Sequence, residues 1–83
     1  MDEIPKGLYE HFKGKRYEVI GVARHSETLE PLVVYKALYQ GEYPEGSLWV
    51  RPLAMFREQV TVGGKQVPRF RSINHPEKGR GLL

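Results

Sequence analysis

Four consecutive polar residues, His25-Ser26-Glu27-Thr28, include three of the side-chain types that take part in nucleophilic catalysis. Catalytic triads bring their members together from different elements, however, and neighbours on one loop rarely reach that geometry. The chain also lacks the glycine-flanked turn that presents a nucleophilic serine. We therefore predict no catalytic residues, and a small hydrolase that uses His25 and Glu27 is the least favoured interpretation. A loop that bonds its own backbone and a loop that contacts a ligand both stay open.

Trp49 and Arg51 are two residues apart on a predicted strand, so their side chains share one face. An arginine beside an aromatic ring can stack on a ligand or bind a carboxylate or phosphate with two hydrogen bonds. We further expect Glu27 to pair with Arg51. The alternative is that Trp49 belongs to the core and that Arg51 only holds Glu27 or a backbone carbonyl. The predicted ligand-binding residues are His25, Ser26, Glu27, Tyr35, Trp49 and Arg51.

The sequence gives no sign of a metal or an organic cofactor. The three histidines, His11, His25 and His75, lack the short spacing of a zinc site, and the chain has no cysteine. Neither glycine-rich phosphate-binding motif occurs, and Gly63-Gly64 is typical of a hairpin turn. We therefore expect no metal ligands and no cofactor.

Alternation with a period of two predicts the elements that position these side chains. Gly14 and the pair Gly63-Gly64 mark tight turns, and Pro52 suits the first turn of a helix. Residues 1–71 are predicted to form the domain and residues 72–83 a loosely held tail. The predicted strands cover residues 8–12, 16–24, 32–40, 47–51, 59–62 and 65–70, with one helical turn over residues 53–58.

Five to six short antiparallel strands with one short helical turn predict a mostly β domain, a small SH3-like roll or a partly open barrel. An OB-like barrel is the alternative, although it usually needs a longer helix. A connection over residues 25–31 places Gly21 opposite Tyr35, and it makes Glu18 and Lys36 diagonal neighbours on the other face. The apolar face predicted by this register contains Tyr17, Val19, Gly21, Ala23, Val33, Tyr35, Ala37 and Tyr39.

Composition and charge limit the class of protein. The chain has 83 residues, of which 40% are hydrophobic and 28% charged, and this is too apolar for a disordered chain. The first six residues contain acidic side chains and no apolar run, so we expect no signal peptide; no apolar run is long enough to span a membrane, and we expect a cytoplasmic protein. The net charge is +3, and residues 51–83 contain seven basic and two acidic side chains. This distribution permits weak contact with polyanions.

Several blocks of the chain together resemble a bacterial family that is known as domain of unknown function one-six-five-three. The resemblance covers roughly residues 7–71 and implies a small SH3-like β fold, either alone or attached to other domains. It implies no established activity. The residues that carry it are Gly7-Leu8-Tyr9, His11 and Gly14, Ala23 to Leu29, Val33 to Tyr39, Leu48 to Pro52, Met55-Phe56 and Val67 to Phe70.

The sequence as a whole favours a binding module without enzymatic activity. Its expected partner is a small anionic ligand, a peptide or another protein domain. The alternative is a domain that binds RNA or single-stranded nucleic acid, for which Arg51, Arg57, Lys65, Arg69 and Arg71 would form a basic stripe. A homodimer that covers an exposed strand or an aromatic patch is also compatible with so small a domain.

Overall fold

The computed structural model describes residues 4–73, so the predicted tail beyond residue 73 and His75 lie outside the described residues. Within the described range the chain forms seven strands and one short helix. The strands are β1 (Gly7–His11), β2 (Arg16–Arg24), β3 (Pro31–Ala37), β4 (Leu48–Pro52), β5 (Gln59–Val62), β6 (Lys65–Pro68) and β7 (Phe70–Ser72), and the helix α1 spans Leu53–Phe56.

The strands form two antiparallel sheets. The larger sheet has five strands in the order β4-β3-β2-β1-β7, and β5 pairs with β6 in a separate hairpin. The prediction of a mostly β fold with antiparallel strands and one helical turn is confirmed. No pairing joins β4 to β7 in the described part of the chain, so the five-stranded sheet is not a closed barrel.

The predicted last strand over residues 65–70 is wrong, because it divides into two. Pro68 ends β6, and Phe70 begins β7 and pairs with His11 of β1. Arg69, between the two strands, donates its backbone N–H to the carbonyl of Glu58 and accepts a hydrogen bond from the N–H of Phe12. A proline at the end of a strand cannot extend the hydrogen-bonded ladder, and this explains the break.

The predicted register of the central hairpin is also wrong. Gly21 lies opposite Val34, and Tyr35 lies opposite Val19. Two features cause the difference: Pro31 joins the strand opposite Arg24, and Ile20 forms a bulge between the two halves of β2. A bulge adds one residue to one strand, so the side chains that face the core beyond it differ from those that simple alternation predicts.

The bulge changes which residues of β2 face the core. On the hairpin side of the bulge Val22 packs against the core, whereas Ala23 is exposed. The predicted pairing of Glu18 with Lys36 is confirmed as an ion pair of 3.5 Å, although the two residues are directly opposite and not diagonal.

A cluster of large side chains fills the concave face of the five-stranded sheet. The helix α1 contributes Leu53 and Phe56, and Phe56 stacks on Phe70 with ring centres 4.2 Å apart. The buried members are Tyr9, Val19, Val33, Tyr35, Leu53, Phe56 and Phe70. No helix within residues 4–73 is long and apolar enough to cross a membrane.

The five-stranded sheet is strongly curled. Phe70 lies on one edge strand, and its ring centre is 5.6 Å from that of Tyr35, three strands away in the sheet order. The guanidinium carbon of Arg51, on the opposite edge strand, is 5.5 Å from the same Phe70 ring. The curl therefore brings side chains from both edges of the sheet to one region of its concave face.

Candidate ligand-binding pocket

A pocket of about 300 Å³ opens at the end of the concave face where β3 leads into β4. Two of the predicted site residues, Tyr35 and Trp49, are directly opposite each other on these strands, and Arg51 follows on the same face. Three of the six predicted residues thus meet in one concavity. The complete lining consists of Tyr17, Tyr35, Ala37, Tyr39, Glu42, Tyr43, Trp49 and Arg51.

Three tyrosines of the pocket were missed by the prediction of site residues. Tyr17 and Tyr39 belong to the apolar face that the alternation predicted, and this was the signal that could have placed them beside Tyr35. Tyr43 comes from the connection between β3 and β4, and no periodic pattern identifies it. The connection folds back so that the ring of Tyr43 meets that of Trp49, with centres 5.1 Å apart.

The aromatic rings of the pocket meet edge to face. Tyr17 lies between two others, with its ring centre 5.2 Å from that of Tyr35 and 5.5 Å from that of Tyr39. This arrangement is favourable because the positive edge of one ring contacts the negative face of the next. These three tyrosine rings therefore stabilise one another, and the rings of Tyr43 and Trp49 lie at the rim of the pocket.

Arg51 is held in the pocket by aromatic groups. Its Nε donates a hydrogen bond to the hydroxyl of Tyr35 at 3.3 Å, and its guanidinium lies over the ring of Phe70. Within residues 4–73 no carboxylate lies within 4 Å of this guanidinium, so the predicted ion pair between Glu27 and Arg51 is not formed. Arg51 therefore presents a positive charge to the pocket, whose lining also includes the carboxylate-bearing side chain of Glu42.

The Tyr17 hydroxyl at the wall of the pocket is neutral at physiological pH. Burial raises the pKa of Tyr17 well above its usual value of 10.0, and the hydrogen bond with Tyr39 raises it further. The two hydroxyl oxygens are 2.8 Å apart.

The ammonium of Lys15 lies 4.9 Å from the centre of the Tyr39 ring and adds a second positive charge beside the aromatic group.

The loop that contains His25, Ser26 and Glu27 is bonded to itself and does not line the pocket. The Nδ1 atom of His25 accepts the backbone N–H of Glu27 at 3.1 Å, and the hydroxyl of Thr28 accepts that of Glu30 at 3.1 Å. Glu27 receives a hydrogen bond from the hydroxyl of Ser26, and its side chain is 82% exposed. These contacts explain why Glu27 does not reach Arg51. The role of His25, Ser26 and Glu27 in binding a ligand stays a prediction.

A second cavity, of about 390 Å³, lies between β1 and the hairpin of β5 and β6. It is lined largely by apolar atoms of residues such as Phe12, Val62 and Val67. Its charged members include Arg71 and Glu10, which pair with each other. Although Lys65 also lines it, the predominance of apolar atoms makes this cavity a poorer candidate for an anionic ligand than the aromatic pocket. The described residues contain no group of three or more acidic, histidine or cysteine side chains placed to hold a metal ion.

The model of the family described as "Protein of unknown function (DUF1653)" matches residues 7–72, and the chain belongs to this family. The resemblance predicted from the sequence is thus confirmed. A crystal structure of a DUF1653 protein from Bordetella bronchiseptica is similar to this chain, with 37% sequence identity and a TM-score of 0.76. The similarity covers 87% of this chain and 90% of the Bordetella chain. No curated protein sequence matches this chain.

Proposed function

We propose that this protein is a binding module whose aromatic pocket takes a small ligand that carries both a planar ring and an anionic group. The observation that carries the proposal is the guanidinium of Arg51, which lies in an aromatic pocket without a carboxylate partner among the described residues. The proposal includes the predicted SH3-like character of the fold and a cytoplasmic location, both of which stay predictions.

The position of Arg51 favours an anionic group. A guanidinium offers a planar set of donors that matches a carboxylate or a phosphate with two parallel hydrogen bonds. One donor, Nε, already bonds to Tyr35, and the Phe70 ring supports the plane from one side. Such support lowers the conformational entropy that the side chain loses when a ligand binds.

The rim of the pocket favours a planar ring. Trp49 is 38% exposed although its strand neighbour Tyr35 is buried, and the ring of Tyr43 is exposed beside it. Stacking on an exposed aromatic ring contributes on the order of 1–3 kcal/mol per planar group. A volume of about 300 Å³ is at the lower end of the usual range for small-molecule sites, so the pocket suits a ligand no larger than a nucleoside monophosphate.

The single tryptophan of the chain gives a direct test, because Trp49 lines this pocket and no other tryptophan contributes to the emission. We would titrate the protein with adenosine 5′-monophosphate, adenosine, phenylacetate and inorganic phosphate and follow the fluorescence of Trp49. The two probes that combine a ring with an anion, the monophosphate and phenylacetate, should change the emission at lower concentration than adenosine or phosphate. The monophosphate and the carboxylate together distinguish a phosphate site from a carboxylate site.

Variants separate specific binding from general attraction of charge. Arg51→Gln should weaken binding of the anionic probes about tenfold or more, since a hydrogen bond to a charged group contributes ~1.5–3 kcal/mol. Lys36→Gln is the matched control, because it also removes one positive charge but lies on the other face, paired with Glu18. Equal losses in the two variants, or no saturable change with any probe at millimolar concentration, would count against the proposal.

The nucleic-acid alternative has less support from the contacts of the basic residues. Two of the five residues expected to form a stripe are engaged by carboxylates: Arg69 pairs with Glu58 at 2.9 Å, and Arg71 pairs with Glu10. Only Arg51 of the five lines the aromatic pocket.

A further inference from the structure

The outer edge of β4 offers a site for another strand. β4 is the last strand of the five-stranded sheet, and no strand in the described part of the chain pairs with its outer side. An edge strand presents a row of N–H and C=O groups to which a further strand can bond.

The hydrogen bonds of the neighbouring strand show which groups of β4 point outward. Ala37 of β3 donates its N–H to the carbonyl of Ser47. In an antiparallel pair, bonded and non-bonded residues alternate, so the backbone groups of Trp49 and Arg51 also turn toward β3. The N–H and C=O groups of Leu48 and Val50 therefore point away from the sheet.

The side chains of the same two residues are apolar and exposed. Leu48 is 64% exposed and Val50 is 58% exposed, and both lie on the convex face, opposite Lys36 and Val34 of β3. Most edge strands carry a charge or a bulge that discourages pairing. In β4 the residues that discourage pairing are confined to its end: Arg51 carries a charge on the concave face, and Pro52 has no N–H and limits a pairing strand to residues 48–50.

We propose that this edge binds the β4 strand of a second copy of this chain. In an antiparallel pairing about a two-fold axis, Leu48 of each copy lies opposite Val50 of the other, and Trp49 lies on the axis. This register uses the two N–H and the two C=O groups that each copy turns outward, and it stops short of Pro52. Apolar side chains then face apolar side chains, as the self-complementarity of a two-fold interface requires.

The proposed pairing also brings two pockets together. The two Trp49 side chains would form a directly opposite pair on the concave face, where such pairs have Cβ atoms about 4.5–5.5 Å apart. Each pocket would then have the tryptophan of the other copy beside its own. The proposal goes beyond the ligand proposed above and does not depend on it.

Sedimentation velocity of the protein from micromolar to millimolar concentration tests the pairing. The wild-type chain of 9.6 kDa should sediment as a species of about twice this mass at the higher concentrations. Val50→Lys should abolish the larger species, because it places two like charges at the edge. Val62→Lys is the matched control: it makes the same change on an exposed position of β5, in the separate hairpin, and should leave the dimer intact.

A second measurement keeps the test decisive if Val50→Lys fails to fold. In the wild-type protein, exchange of the amide protons of Leu48 and Val50 should slow as the protein concentration rises. A wild-type chain that stays monomeric at millimolar concentration would overturn the proposal. Equal loss of the dimer in the two lysine variants would also overturn it, as would amide exchange at Leu48 and Val50 that is independent of concentration.

Discussion

Arg51 is held by the hydroxyl of Tyr35 and the ring face of Phe70 rather than by an ion pair. Its replacement therefore leaves no buried carboxylate uncompensated. We expect Arg51→Gln to lower the free energy of unfolding by only about 0.5–1.5 kcal/mol, the usual contribution of one hydrogen bond. Urea unfolding of the variant and the wild-type protein measures the difference. A loss of about 3–5 kcal/mol, as for the breaking of a buried ion pair, would show that the residue is mainly structural.

His11 makes the free energy of unfolding depend on pH in a predictable direction. Burial lowers the pKa of His11 below its usual 6.5, and repulsion by Arg51, Arg69 and Lys13 lowers it further. The unfolded chain therefore takes up a proton near pH 6.5 that the folded chain does not, and the free energy of unfolding should fall as the pH drops below 6.5.

The variant His11→Gln isolates this contribution. Urea unfolding of the variant should show a smaller loss of stability between neutral pH and pH values below 6.5 than the wild-type protein shows. In the wild-type protein, the NMR titration of the His11 ring should have its midpoint below 6.5. A midpoint above this value would contradict the expected sign.

At the scale of the elements, two glycines with different backbone angles make a matched pair. Gly14 closes the turn between β1 and β2 with a φ of +102°, where a side chain is strained, although the space around it is open. Gly21 has no such angle, and the nearest atom to an added Cβ is the Lys6 Cε at 3.8 Å. We expect Gly14→Ala to cost roughly 1–2 kcal/mol and Gly21→Ala to be neutral or to stabilise by up to ~1 kcal/mol. Thermal and urea unfolding that give equal effects for the two variants would contradict this account.

The elements themselves follow from the sequence more closely than their register does. Alternation and turn residues located β2, the helix α1 and the hairpin at Gly63-Gly64. The bulge at Ile20 was not predictable, because an extra residue in one strand leaves the composition of that strand unchanged. Part of the site also follows from the sequence. Tyr35, Trp49 and Arg51 lie on neighbouring strands and could be grouped from their positions.

The other site residues depend on features without a local signal. Tyr43 reaches Trp49 only because the irregular connection between β3 and β4 folds back over the strand. Glu27 was expected at Arg51 because both adjoin strand ends. In the structure, the polar groups of the short loop form hydrogen bonds with one another instead. Long-range placement of this kind is decided by loop conformation, which alternation does not specify.

At the scale of the whole molecule, the curl of the five-stranded sheet creates the site. Because the sheet curls, Phe70 from one edge supports Arg51 from the other, and the aromatic pocket opens beside them. The arginines of this region differ in their partners. Arg69 and Arg71 are paired with carboxylates, whereas Arg51 faces the pocket. Of these three arginines, only Arg51 lines the pocket.

The most direct test of the pocket is an NMR titration that follows the indole N–H of Trp49 and the Nε–H of Arg51 together. As adenosine 5′-monophosphate or phenylacetate is added, these two signals should shift along one saturable curve. Signals of the His25 to Glu27 loop and of Lys36 should stay in place. A saturable shift confined to that loop, or no shift of Trp49 and Arg51 with either probe, would contradict the central claim.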